Sequence, residues 1–325
     1  MCTAIHYCAN DPYFGRNLDL EYSNNETITV TPRKFPLSFR SADAIDSHYA
    51  IIGVSTNINS YPLYYDAANE KGLAIAGLNF PENAQYGIPE GKAHTISPFE
   101  LIPWILAQCA NAGEAVDLIN QTQLSNIPFS DECPLTDLHW FLCDKDRCLT
   151  LEPTPEGLIL YDNPVGVLTN NPPFPYHLQN LSNYMTLSNQ SPVNNIAPNI
   201  SLKPYSRGMG AIGLPGDLSS ASRFIRATFT KQNSVTPDTE EAAVNQFFHI
   251  LGTVSQTEGS VIVDSSFEKT VYTTCCNLSQ GVYYYTTYES RQIHRVSIDQ
   301  ANINGTGLFE IPLDKTISFK NLNFD

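Results

Sequence analysis

Alternating apolar and polar positions dominate the first third of the chain and read as short strands joined by tight turns. Residues 3–7 run into Asn10-Asp11-Pro12, and residues 13–19 return, which is a hairpin pattern. Further strand-like runs cover residues 27–31, 49–54 and, after the Glu70-Lys71-Gly72 turn, 73–78. The period then changes. Ser97-Pro98-Phe99-Glu100 forms a capping box with proline at the first helical position, and Leu101, Trp104, Ile105 and Cys109 follow at helical spacing. Asn111, with Glu114 three residues later, opens a second helix through Ala115, Val116, Leu118 and Ile119.

Strands resume at residues 138–143, 148–152, 158–161 and 165–169. Residues 188–206 are polar, rich in Asn, Ser and Pro and without period, so they predict a long loop or protruding arm. Helices return near 220–231 and 240–254, and the chain turns to strand again at 271–275, 282–288 and 293–297. Strand blocks and helix blocks are segregated instead of alternating, which predicts a layered α+β fold and not a doubly wound parallel sheet. No internal repeat or long linker divides the chain, so one domain over residues 1–325 is expected.

Composition narrows the function. Acidic residues outnumber basic ones 33 to 18, giving a net charge of -15. That disfavours nucleic acid and anionic membrane surfaces, both of which want a basic footprint. No apolar run approaches the ~18–20 residues of a membrane span and no charged-then-apolar leader is visible, so the expectation is a cytoplasmic protein. In that setting the eight cysteines are expected to be reduced.

Most chemistry-like strings fail in context. Gly208-x-Gly210-x-x-Gly213 matches a dinucleotide fingerprint, but no clean strand precedes it and Leu214-Pro215-Gly216-Asp217 stands where the helix should run. It reads as a structural loop. Cys143 and Cys148 lack the second Cys/His pair that zinc requires, and Cys275-Cys276 reads as core. His139 is the best lone candidate for a papain-like base, although strand histidines are more often structural. No metal or cofactor is expected.

The N-terminus differs. If Met1 is removed, Cys2 carries a thiol and a free α-amine with unperturbed pKa values of about 8.5 and about 7.7–8.0. The amine can then act as base toward its own thiol. The returning strand of the first hairpin places Arg16 and Asp19 near that terminus. An arginine beside a thiol favours the thiolate and a carboxylate can hold the amine, though an ordinary surface ion pair fits those two residues equally well.

Met1-Cys2-Thr3-Ala4 followed by Phe14-Gly15-Arg16-Asn17-Leu18-Asp19 resembles the choloylglycine hydrolase family, which includes bile salt hydrolases and penicillin V acylases. The resemblance continues through Asn69-Glu70-Lys71-Gly72-Leu73, Ala76-Gly77-Leu78-Asn79-Phe80-Pro81, Leu138-His139-Trp140 and Gly166-Val167-Leu168-Thr169-Asn170-Asn171-Pro172. It extends to Gly213-Leu214-Pro215-Gly216-Asp217 and Ser222-Arg223-Phe224.

This resemblance implies an N-terminal nucleophile hydrolase, a four-layer αββα sandwich of two antiparallel sheets between helical layers. Carried over residue by residue, Cys2 is nucleophile and, through its freed amine, base. Asp19 holds the amine, Arg16 lies against the thiol, Asn79 and Asn170 furnish the oxyanion hole, and Arg223 completes the network. Asparagine at position 79, where penicillin V acylases typically have tyrosine, implies glycine- or taurine-conjugated bile salts as substrates. Leu18, Tyr22, Tyr65, Ile127, Phe129 and Leu135 are the candidates for the steroid pocket. The 188–206 arm resembles the segment that packs subunits into a homotetramer. Two alternatives stay open: an acylase for penicillin V or acyl-homoserine lactones, and an inactive member that only binds amphiphiles.

Overall fold

The computed structural model describes residues 1–322 except 89 and 132. The strands, in chain order, begin with β1 (Cys2–Cys8), β2 (Pro12–Leu20), β3 (Thr27–Thr31), β4 (Ile51–Ile58), β5 (Tyr61–Asn69), β6 (Ala74–Asn79), β7 (His94–Ile96) and β8 (Thr122–Leu124). Next come β9 (Leu138–Cys143), β10 (Cys148–Thr154), β11 (Gly157–Asp162), β12 (Val167–Leu168), β13 (Val261–Val263) and β14 (Ser266–Asn277), then β15 (Val282–Thr287), β16 (His294–Ser297) and β17 (Phe309–Pro312). The helices are α1 (Leu101–Gln108), α2 (Ala112–Asn120), α3 (Phe174–Asn180), α4 (Ser220–Gln232) and α5 (Glu240–Gly252).

Two antiparallel sheets carry the fold. One runs β12-β1-β2-β14-β15-β16, with β13 paired to β14; the other runs β11-β10-β9-β6-β5-β4-β3-β17. The two-residue side-chain period distributes each strand between two layers. On β6, Ala74, Ala76 and Leu78 join Ala4 and Phe14 in the core between the sheets. Leu73 and Ile75 instead join Leu101, Ile105 and Ala115 beneath α1 and α2. On the other side, Phe224, Ile225, Phe247 and Leu251 of α4 and α5 pack with the β1–β2–β14 sheet. The layers are therefore helix, sheet, sheet, helix, the order that the family resemblance implies and one that agrees with the segregated pattern.

Helix starts follow their caps. The Glu100 carboxylate accepts from Ser97 N at 2.7 Å, closing a 3-10 turn at Pro98–Glu100 that leads into α1. Asn111 Oδ1 accepts from Glu114 N at 3.0 Å at the start of α2. Several elements were not foreseen, the short strands β7, β8, β13 and β17 among them, and two are instructive. β5 carries Pro62 and Asp66, which break its alternation, and it is joined to β4 through Asn59 and Ser60, both at positive φ (52° and 63°), without the usual glycine. α3 lies directly after Pro172 and Pro173, which suggest a loop when read alone.

The glycine-rich string is a loop with a 3-10 turn at Met209–Ala211. A Cβ at Gly210 would lie 2.0 Å from Gln190 O, so close backbone packing, not phosphate, explains that glycine. Residues 188–206 contain no helix or strand and leave Val193, Ile196, Leu202 and Tyr205 exposed. Among the described residues no helix is long and apolar enough to cross a membrane.

Candidate active site

Cys2 heads β1 with its Cα opposite Leu18 of β2, and Ala4 stands opposite Arg16. Side-chain alternation therefore sends Cys2, Arg16 and Leu18 between the sheets and Thr3, Asn17 and Asp19 toward the helices. The hydrogen bonds agree. Arg16 Nη1 donates to Tyr65 O at 3.2 Å and also to Gly77 O, both on the opposing sheet, whereas Asn17 Nδ2 donates to Leu251 O of α5 at 3.0 Å. Gly15 permits this arrangement. A Cβ there would fall 2.1 Å from Thr274 O, so only glycine lets β2 and β14 approach this closely.

Arg16 is fully buried. Burial opposes its charge, but Cys2, Tyr272, Asp66 and Asp19 outweigh that penalty and raise its pKa. Asp66 accepts from Tyr272 Oη at 2.8 Å, from Thr274 Oγ1 at 2.9 Å and from Tyr283 Oη. Burial pushes the Asp66 carboxyl up, against Arg16 and these hydroxyls. Arg16 Nη2 has no partner among the described residues.

Arg223, on the first turn of α4, ties the other side together. Its Nε donates to Leu218 O at 3.0 Å, its Nη1 to Thr3 Oγ1 at 2.7 Å and to Cys2 O, and its Nη2 to Asn170 Oδ1 at 2.6 Å. The same Asn170 oxygen accepts from Cys2 N at 2.9 Å, and Asn170 Nδ2 donates to Asn79 O at 2.7 Å. Asn79 closes β6 half-buried, with no hydrogen bond from its side chain to another described residue. Burial pushes the Arg223 pKa down, with Asp19 and Cys2 opposing it.

The loop bearing Asn170 is braced from behind. His177 Nε2 donates to Asn170 O at 2.9 Å, and His139 Nε2 donates to Thr169 O at 3.0 Å. Glu152 accepts from Phe174 N at 2.8 Å and lies 3.3 Å from His139 Nδ1. His139, stacked on Phe80, thus has both ring nitrogens engaged and acts as a strut, the structural role that strand histidines usually have.

Met1 is present in the chain, so the Cys2 nitrogen is a peptide amide and donates. The Met1 ammonium donates to Asp19 O at 2.8 Å and pairs with Glu268 at 3.0 Å. Asp19 Oδ1 accepts from Thr270 Oγ1 at 2.6 Å, while its Oδ2 is buried without a partner among the described residues. Burial raises the Asp19 pKa against the pull of Arg223, the terminal ammonium and Arg16.

The match to the model of the linear amide C-N hydrolases, choloylglycine hydrolase family, spans residues 2–310. The chain belongs to that family. It is 51% identical over 324 residues to the bile salt hydrolase/transferase of Lactiplantibacillus plantarum, covering 99% of this chain and 100% of the relative. The crystal structure of a C2A mutant of conjugated bile acid hydrolase from Clostridium perfringens superposes with a TM-score of 0.92 at 35% identity, covering 99% of this chain and 100% of that one. Penicillin V acylase from Agrobacterium tumefaciens shares the fold, with a TM-score of 0.76 at 18% identity over 95% of this chain and 90% of that one.

Against this family background, Cys2, Asn170 and Arg223 form one hydrogen-bonded cluster, Arg16 faces the same layer and interacts with Cys2 through its charge, Asp19 adjoins the cluster through Met1, and Asn79 joins through its carbonyl. The steroid-pocket candidates divide. Leu18 is paired with Cys2, and Tyr65 offers its carbonyl to Arg16. Tyr22 and Ile127 are exposed and Leu135 is half-buried. Phe129 packs on Tyr61, Phe99 and Arg40 at a cavity of about 400 Å³ whose lining does not include Cys2. The sequence reading missed Asp66, Tyr272, Tyr283, Glu268 and the Glu152–His139–His177 brace. A carboxylate isolated in an apolar strand, as Asp66 is, was the one signal available.

Proposed function

We propose that the chain hydrolyses the amide bond joining a bile acid to glycine or taurine. The observation that carries this is the buried Cys2 at the head of β1, linked through Asn170 and Arg223, in a chain that matches bile salt hydrolases end to end. Once Met1 is removed, the Cys2 amine takes the thiol proton and Arg16 supplies the counter-charge to the attacking sulfur. Asn79 and a free N–H of Asn170 Nδ2 receive the oxyanion that appears on the scissile carbonyl. The ammonium then protonates the leaving nitrogen, and water activated by the same amine cleaves the thioester. The unpaired Oδ2 of Asp19 is the acceptor for that amine.

The thioester also admits a second outcome. An amine arriving before water would be acylated, a reading favoured by the hydrolase/transferase name of the 51% identical relative. The exposed apolar residues of the 188–206 arm support a homotetramer of one-domain subunits, and eight unpaired cysteines suit a reducing cytoplasm. The test compares turnover of glycocholate, taurocholate and penicillin V, with intact mass reporting on Met1. Cys2→Ala should abolish turnover and Cys2→Ser nearly so. Faster cleavage of penicillin V would overturn the substrate assignment, and activity in the alanine variant would overturn the mechanism.

A further inference from the structure

Cys2 is not the only thiol in a charged setting. At the far end of β1, the Cys8 sulfur lies 3.8 Å from His6 Nδ1. Across the molecule's inner edge, β9 and β10 bring Cys143 opposite Cys148. The backbone bond from Asp144 N to Arg147 O, one residue further on, makes 143/148 a non-hydrogen-bonded pair. In such pairs the Cα atoms are ~4.5 Å apart and the side chains are closest, within the span a disulfide bridges. Lys231 Nζ of α4 donates to His6 O at 2.9 Å, placing a second cation at the cluster. Cys148 is half-exposed, whereas Cys143 is fully buried.

We propose that Cys148 and Cys143 form a hydroperoxide-reactive dithiol, a modification site separate from the Cys2 centre, with Cys148 as the attacking thiolate and Cys143 as the resolving thiol. The groups facing Cys148 are His6 and Cys8 of β1, Cys143 with the neighbouring Asp144 at the end of β9, and Lys231 of α4. Cys143, His6 and Lys231 together bring the Cys148 thiol down to about 6 despite its burial. Against the pull of burial, His6 is in turn held up at about 9 by Cys148 and by Cys8, whose sulfur lies 3.8 Å away. Burial and its bond to Cys148 keep Cys143 protonated.

The chemistry balances with hydrogen peroxide as oxidant. The Cys148 thiolate attacks one peroxide oxygen, the O–O bond breaks, and the departing hydroxide takes a proton from His6 to leave as water. Cys148 is then a sulfenic acid. The Cys143 sulfur attacks it, the S–O bond breaks, and the thiol proton leaves with that hydroxyl as a second water. Two thiols and one peroxide become one disulfide and two waters.

Cys133 is an internal control, since it is also half-exposed but has its pKa raised by burial. A thiol of pKa near 6 is about half ionised at pH 6, against ~0.3% for an ordinary one near 8.5, and burial holds Cys133 above the ordinary range. With a Brønsted slope of ~0.45 for nucleophilicity, Cys148 should react at least roughly tenfold faster at that pH. The experiment treats the full chain with equimolar hydrogen peroxide at pH 6, blocks free thiols and maps peptides by mass spectrometry. The expected products are a Cys143–Cys148 linked peptide in the parent and a dimedone-trapped sulfenic acid at Cys148 in Cys143→Ser. His6→Gln should shift the pH profile of Cys148 alkylation upward and leave that of Cys133 unchanged. Oxidation of Cys148 no faster than Cys133, or an unmoved profile in His6→Gln, would overturn the proposal.

Discussion

Replacing Arg223 by lysine keeps the charge and removes the geometry. The guanidinium serves four acceptors on three segments: Leu218 O, Cys2 O, Thr3 Oγ1 and Asn170 Oδ1. An ammonium is a single nitrogen and cannot stand at Nε, Nη1 and Nη2 together. At best it satisfies two of the four, leaving two buried acceptors at about 1–3 kcal/mol each. The expected destabilisation is about 4 kcal/mol, a fall in Tm of about 6 °C for a chain of 325 residues. The catalytic consequence is separate. Asn170 loses one of the two donors that fix its Oδ1, Cys2 N being the other, and in the proposed mechanism a mis-set oxyanion donor costs up to ~10²–10³ in rate. We expect kcat on taurocholate to fall roughly tenfold to a hundredfold in Arg223→Lys, with KM nearly unchanged. The assay is steady-state kinetics beside a thermal melt, with intact mass confirming that Met1 is absent from both proteins. A processed Arg223→Lys enzyme with kcat within about twofold of the parent would refute the reasoning.

Two further outcomes follow from buried groups. In Asp66→Asn one carboxylate oxygen becomes an NH2 donor, so the hydroxyl of Tyr272, or those of Thr274 and Tyr283, lose their acceptor and the rest lose a charged one, at about 1 kcal/mol each. The urea midpoint should therefore fall by the equivalent of about 3 kcal/mol, and an unchanged midpoint would remove Asp66 from the set of residues that hold Arg16. The second concerns pH. Burial pushes the His177 pKa below its ordinary 6.5, chiefly against the bond to Asn170 O. Below about pH 6.5 the unfolded chain takes up a proton that the folded chain refuses, so this contribution is present above 6.5 and is lost as pH falls. Tm should decline on acidification through that window, and His177→Gln, which keeps a donor for Asn170 O, should flatten the decline. Equal slopes in the two proteins would count against it.

What could be read from the chain follows from how local each signal is. The β1–β2 hairpin, the Ser97 and Asn111 helix starts and the segregation of strands from helices depend on neighbours in sequence, and all were legible. β5 was not, because Pro62 and Asp66 make sense only once β5 is seen between β4 and β6, with Asp66 beneath Tyr272 and Tyr283. The same limit applies at the site. Cys2, Arg16 and Asp19 fall on one hairpin and could be associated by register alone. Asn79, Asn170 and Arg223 are 77, 168 and 221 residues away from Cys2 in sequence, and only the family resemblance assigned them. The Glu152–His139–His177 brace has no sequence signature, since its purpose is to hold a backbone carbonyl.

The position of Met1 sharpens what activation must involve. With Met1 attached, Cys2 N and Arg223 already donate to Asn170 Oδ1 and Arg16 to Tyr65 O, the contacts that the proposed mechanism uses. Removal of Met1 therefore need not assemble a site. It changes one nitrogen from an amide, whose lone pair is delocalised, to an amine that can accept a proton, and it frees the Glu268 carboxylate and the Asp19 carbonyl that held the old terminus. Two carboxylates, Asp19 and Glu268, are then left beside a newly basic nitrogen. Their charge favours the ammonium form that the leaving nitrogen needs as a proton donor.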